Sequence, residues 1–132
     1  MTRVLQLRVV VEAPDYEAAV AFYRDVLGLD EQETYEGDGD ARVMILGAGR
    51  ATLELANPAQ VAMIDEVEVG SRVAPKIRIA FEVADTDGVT TELVEAGAEL
   101  IAPPVITPWQ SLNSRLDAPA GLQITVFQEP TE

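Results

Sequence analysis

The first residues alternate in polarity with a period of two. Leu5, Leu7, Val9 and Val11 fall on one face of an extended segment, and Gln6, Arg8, Val10 and Glu12 on the other. This predicts a strand over residues 3–11. Ala13-Pro14-Asp15 breaks it, because proline has no N–H for the ladder. Asp15 suits a helix N-cap, and in the YEAAVAFYRDVL that follows Ala19, Phe22, Tyr23, Val26 and Leu27 recur at helical spacing as a packing stripe. Gly28 stands where a helix end favours a left-handed residue. Strands follow at about residues 29–35, 42–46 and 51–56, divided by turns at Gly37-Asp38-Gly39 and Gly47-Ala48-Gly49. The order is β-α-β-β-β.

Residues 57–75 interrupt this pattern with two prolines and several acids, and read as a connector carrying a short helix near 59–64. The pattern then restarts. Residues 76–83 form a strand, Asp85 caps a helix with Val89, Leu93 and Ala96 on one stripe, and Gly97 ends it. Strands follow near 99–101, 109–116 and 123–128, the last two separated by the turn Asp117–Gly121. The segment Arg8-Val-Val-Val-Glu12-Ala-Pro-Asp15 overlays Arg78-Ile-Ala-Phe-Glu82-Val-Ala-Asp85 at an offset of 70, so Arg, Glu and Asp recur together. The expectation is one domain over 1–132: a first module at 1–57, a connector at 58–75 and a second module at 76–132.

Composition narrows the chemistry. The 132 residues carry 9 basic and 23 acidic side chains, a formal charge of -14, which disfavours nucleic acid and anionic membranes as partners. Cysteine is absent, excluding disulfides and thiolate chemistry, and so is histidine, excluding a Ser-His-Asp triad and imidazole-bound metal. No apolar run approaches the ~18 residues of a membrane span, and the N-terminus lacks the features of a signal peptide. A cytoplasmic location is expected.

The segments PDYEAAVAFYRDVLGL, ATLELANP, KIRIAFEVADTD and SRLDAPAGLQITVFQEP together resemble the vicinal oxygen chelate superfamily, also called the glyoxalase/bleomycin-resistance/dioxygenase superfamily. The resemblance covers nearly the whole chain. It implies an α+β fold of two tandem βαβββ modules forming open, cupped mixed sheets, with helices outside and ligand inside, and it implies a homodimer. Metal-using members place one ligand on each of four strands, usually His or Gln on the first strand of a module and Glu on the last. Those positions fall here on Arg8, Glu54, Arg78 and Thr125, and only Glu54 keeps the pattern.

A guanidinium offers no lone pair and stays charged. One unit-charge repulsion at ~4 Å and an effective dielectric of ~20 is worth ~4 kcal/mol. The expectation is therefore no metal and no cofactor at this centre. Two roles are open for Arg8, Glu54 and Arg78. They form an internal tie with the carboxylate clamped between guanidiniums, or one arginine is free to grip a ligand anion. A carboxylate flanked by two cations is expected to have a lowered pKa and to be a poor base.

Trp109, the only tryptophan, lies at the start of the penultimate strand. It is read either as a core or interface residue or as a platform for a planar ligand. Met44 and Met63 are pocket wall or ordinary filler. Tyr23 belongs to the packing stripe, and Glu12 and Glu82 read as repeated surface carboxylates. The functional expectation is a metal-free small-molecule binder that sequesters an antibiotic or other aromatic compound, with Arg8, Glu54, Arg78, Trp109 and Thr125 facing the ligand. The alternative is a metal-independent lyase or isomerase with Glu54 as base and Arg8 or Arg78 stabilising the oxyanion.

Overall fold

A computed structural model describes residues 3–130. The strands are β1 (Gln6–Glu12), β2 (Asp30–Glu36), β3 (Arg42–Ala48), β4 (Ala51–Ala56), β5 (Ile77–Glu82), β6 (Glu99–Ile106), β7 (Leu112–Ala118) and β8 (Leu122–Gln128). The α-helices are α1 (Tyr16–Val20), α2 (Pro58–Glu68) and α3 (Thr86–Glu95). All eight strands form one open mixed sheet, in the order β2-β3-β4-β1-β5-β8-β7-β6. The two halves mirror each other. β1 pairs parallel with β4, β5 pairs parallel with β8, and the halves join through the antiparallel pair β1–β5. The α+β class and βαβββ order follow the expectation, but the two cups share a continuous sheet rather than standing as separate ones.

Strand alternation separates two faces. On β3, Met44 and Leu46 pack with Leu55, Tyr16 and Val20 beneath α1, while Val43 and Ile45 pack with Ala56 and Val61 of α2. In the second half, Ile124, Val126 and Leu116 pack against Val89 and Leu93 of α3. Asp15, Asn57 and Asp85 each accept a backbone N–H at the start of their helix.

Three departures have physical causes. The first helix passes into a π-helical turn over Ala21–Val26, where the Leu27 N–H reaches the Phe22 carbonyl at 2.9 Å. The wider turn rotates its later residues off the packing face. Tyr16, Ala19, Val20 and Tyr23 therefore pack inward, while Phe22, Val26 and Leu27 of the expected stripe are exposed. β6 continues through Pro103-Pro104, where the sequence pattern ends a strand at 101, because an edge strand needs only one side of its backbone for the ladder. Finally, the connector holds an eleven-residue helix, longer than the 59–64 expected. This helix lies on the inner face, contacting β3 and β4 of one half and β6 and β7 of the other. The two module helices cover the outer face as expected, and the connector helix stands apart from them on the inner face.

Candidate functional site

The concave face encloses a cavity of about 670 Å³. Register explains how its floor forms, since residues directly opposite across a ladder share a face. Glu54 and Arg78 are both partners of Val10, one from each side. Ile45, Glu54, Val10 and Arg78 thus make one inward row across four strands. Arg8, Ala80, Thr125 and Arg115 make the row beside it. Arg8, Glu54, Arg78, Thr125 and Trp109 all line the cavity.

The structure does not build the expected clamp. Arg8 Nη1 lies 3.6 Å from Glu54 Oε2, but no carboxylate comes within ion-pair distance of Arg78 among the described residues. Two strand spacings of ~4.8 Å separate the backbones carrying Glu54 and Arg78. Arg78 Nη1 instead donates to Thr125 Oγ1 at 2.6 Å. Arg8 is held from several sides: it bonds to the Gln6 side chain, sits 3.4 Å from Glu129 Oε1, and stacks 4.8 Å from the centre of the Phe127 ring.

The electrostatics of Glu54 also reverse the expectation. Burial raises its pKa, and the opposing pull of Arg8 and Arg78 is too small to restore it. Burial lowers the pKa of Arg78, with Glu68 as the main opposing influence.

The connector helix supplies site residues that the sequence reading missed. Glu68, at the end of α2, reaches β7 and β8 of the second module. Its Oε1 accepts from Arg115 Nη2 at 2.8 Å and from Thr125 Oγ1 at 3.3 Å, and its Oε2 accepts from Asn113 Nδ2 at 2.8 Å. Asp65, one turn earlier, accepts from Arg115 Nη1 at 2.8 Å, Arg72 Nη1 at 3.1 Å and the N–H groups of Val73 and Ala74. Burial alone would raise the pKa of Asp65, but the Ala74 N–H and Arg115 lead the interactions that hold it low. Arg115 has no exposed side-chain surface. This network locks α2 and the segment after it to β7. The only sequence signals were the i, i+3 spacing of Asp65 and Glu68, and an arginine alternating with Asn113 on the polar face of a strand.

Trp109 stands at the rim, in the turn before β7, with 44% of its surface exposed. That excludes a fully buried core role. Met63 lines the cavity, whereas Met44 is core. Glu82 lines the cavity and Glu12 pairs with Arg72 at 3.0 Å, so neither is a plain surface carboxylate. Tyr35 donates to Glu33 at 2.7 Å beside the opening.

The profile of the Glyoxalase/Bleomycin resistance protein/Dioxygenase superfamily matches residues 6–126. The chain belongs to this superfamily. Among solved structures, a hypothetical protein from Bacillus halodurans is similar with a TM-score of 0.71 at 16% identity, covering 97% of this chain and 95% of that one. The methylmalonyl-CoA epimerase of Mycobacterium tuberculosis is similar with a TM-score of 0.65 at 20% identity, covering 98% and 89%. The Streptomyces coelicolor methylmalonyl-CoA epimerase in complex with 2-nitronate-propionyl-CoA gives 0.66 at 21%, covering 99% of both chains. These likenesses show the fold. No curated protein matches the chain.

Superfamily membership raises the question of a metal at the floor. Two of the four positions are guanidiniums, and the Thr125 oxygen is engaged by one of them. Glu54 is the single carboxylate among the four, and no group of three or more metal-binding side chains occurs among the described residues. These donors do not fit a chelated divalent ion. No helix is long and apolar enough to cross a membrane among the described residues.

Proposed function

We propose that this superfamily member binds an aromatic small molecule in its cavity and sequesters it without a metal ion. The observation that carries this reading is the cavity itself: about 670 Å³, with Val10, Ile45, Val61 and Phe127 as apolar wall and the Trp109 ring at the rim. That volume lies within the ~300–1,000 Å³ of small-molecule pockets. Glu33, Glu36, Glu82 and Glu129 also line it, which favours ligands carrying a cationic group near the opening. The proposed form is a cytoplasmic homodimer, with the exposed Phe22, Val26 and Leu27 facing the partner. Titration with bleomycin and with benzamidine, followed by Trp109 fluorescence and calorimetry, tests the reading. Saturable quenching with matching heat is expected from at least one. Neither signal from either compound would overturn it.

One observation favours a second reading, a metal-independent isomerase or lyase. Burial raises the pKa of Glu54, which suits a general base better than a doubly clamped carboxylate does. In such a step Glu54 removes a proton beside a carbonyl, and the electron pair moves to the carbonyl oxygen on the arginine side of the floor. The fold likeness to methylmalonyl-CoA epimerases makes methylmalonyl-CoA a sensible first probe. Solvent deuterium entering the probe, and ceasing in Glu54→Gln, would support this reading. No exchange in the unaltered protein would reject it for this probe.

A further inference from the structure

The two floor arginines differ in how far the protein satisfies them. Arg8 has Gln6, Glu54, Glu129 and the Phe127 ring around it. Arg78 keeps only 9% of its surface exposed, yet its one hydrogen bond among the described residues is to a neutral hydroxyl, Thr125 Oγ1. Its Nε and Nη2 groups are not among the sealed polar atoms without a partner, and Arg78 lines the cavity, so these donors open onto it. Glu68 acts on Arg78 through space but forms no ion pair with it. That carboxylate is gripped by Arg115 through Nη2 at 2.8 Å and Nε at 3.1 Å, and its hydrogen-bonded link to Arg78 runs through the Thr125 hydroxyl.

A largely buried guanidinium with free donors is an incomplete arrangement, because a buried charge is compensated by a hydrogen-bonded counter-charge. The planar fork of Arg matches the paired oxygens of a carboxylate or a phosphate. We propose that Arg78 is the anion-holding group of the cavity, taking a carboxylate of an aromatic ligand whose cationic end faces the rim glutamates. This rests on the cavity being a ligand site, and it specifies the ligand class: an amphoteric aromatic acid rather than a simple aromatic cation. The Thr125 hydroxyl orients Arg78 by accepting from Nη1 while donating to Glu68.

The test compares benzylamine with its ring-substituted carboxylate, aminomethylbenzoate, by calorimetry and Trp109 fluorescence. A hydrogen bond between charged groups is worth enough to give about tenfold tighter binding of the carboxylate compound. Arg78→Gln is expected to remove that advantage, so that the two compounds bind within about twofold of each other. Arg78→Lys, which keeps the charge, is expected to retain part of it. Circular dichroism checks that both variants fold, and the comparison in the unaltered protein needs no variant. Equal binding of the two compounds, or an advantage that persists in folded Arg78→Gln, overturns the role of Arg78 while leaving the cavity reading intact. Binding of neither compound overturns both.

Discussion

Replacing Arg115 by Met tests whether the charge network beneath α2 holds the site together. Arg115 makes four polar contacts: Asp65 at 2.8 Å, Gln123 at 2.9 Å, and Glu68 at 2.8 and 3.1 Å. Removing one partner of a buried ion pair destabilises by ~3–5 kcal/mol, because the remaining charge is left uncompensated. The lower end applies here. Asp65 keeps Arg72 and two backbone N–H donors, and Glu68 keeps Asn113 and Thr125. Methionine also fills most of the vacated volume. A loss of about 3 kcal/mol, at a urea dependence of ~1–3 kcal/mol per molar, moves the unfolding midpoint down by roughly 1–3 M. Adding Glu68→Gln to Arg115→Met recovers part of this loss, since the orphaned charge is its main source. A midpoint shift below ~0.5 M at unchanged slope, or further loss in the double variant, would refute the reasoning.

Two further predictions concern pH. A carboxyl whose pKa is raised on folding penalises the folded state once it ionises, so Glu54→Gln is expected to be more stable than the parent at neutral pH. That advantage shrinks as pH falls into the carboxylate range, and denaturant melts at two pH values check it. Asp65 has the opposite sign: its lowered pKa contributes stability above the unfolded value, which is lost as pH falls through the folded one. Asp65→Asn is therefore expected to be less stable at neutral pH and to show a shallower decline in acid, read from the same melts.

The repeated part of the molecule was legible because a period of two leaves little freedom. Alternation put Arg8 and Arg78 on the polar face of their strands, the family resemblance implied that this face is the inner one, and the ladder carried them to the floor with Glu54 and Thr125. What alternation does not contain is distance across the sheet. The Arg-Glu-Arg clamp failed because Arg78 turned toward Thr125, and the pKa of Glu54 followed burial rather than the count of nearby cations. The connector was illegible for another reason. Asp65 and Glu68 resemble a solvated acidic stretch until α2 docks across the concavity, and only then does Arg115 on β7 become their counter-charge. In the structure Asn57 caps that helix and Pro58 sits in its first turn, a start signal that the expected helix at 59–64 did not use.

The claim on which the rest depends is that the concave face receives a ligand. Amide chemical-shift mapping during titration with aminomethylbenzoate tests it most directly. The account predicts saturable shifts at Val10, Ala80, Phe127 and the Trp109 indole, all lining the cavity. Shifts confined to the outer surface around Phe22 and Val26, or no saturable shifts at the cavity residues, would contradict it.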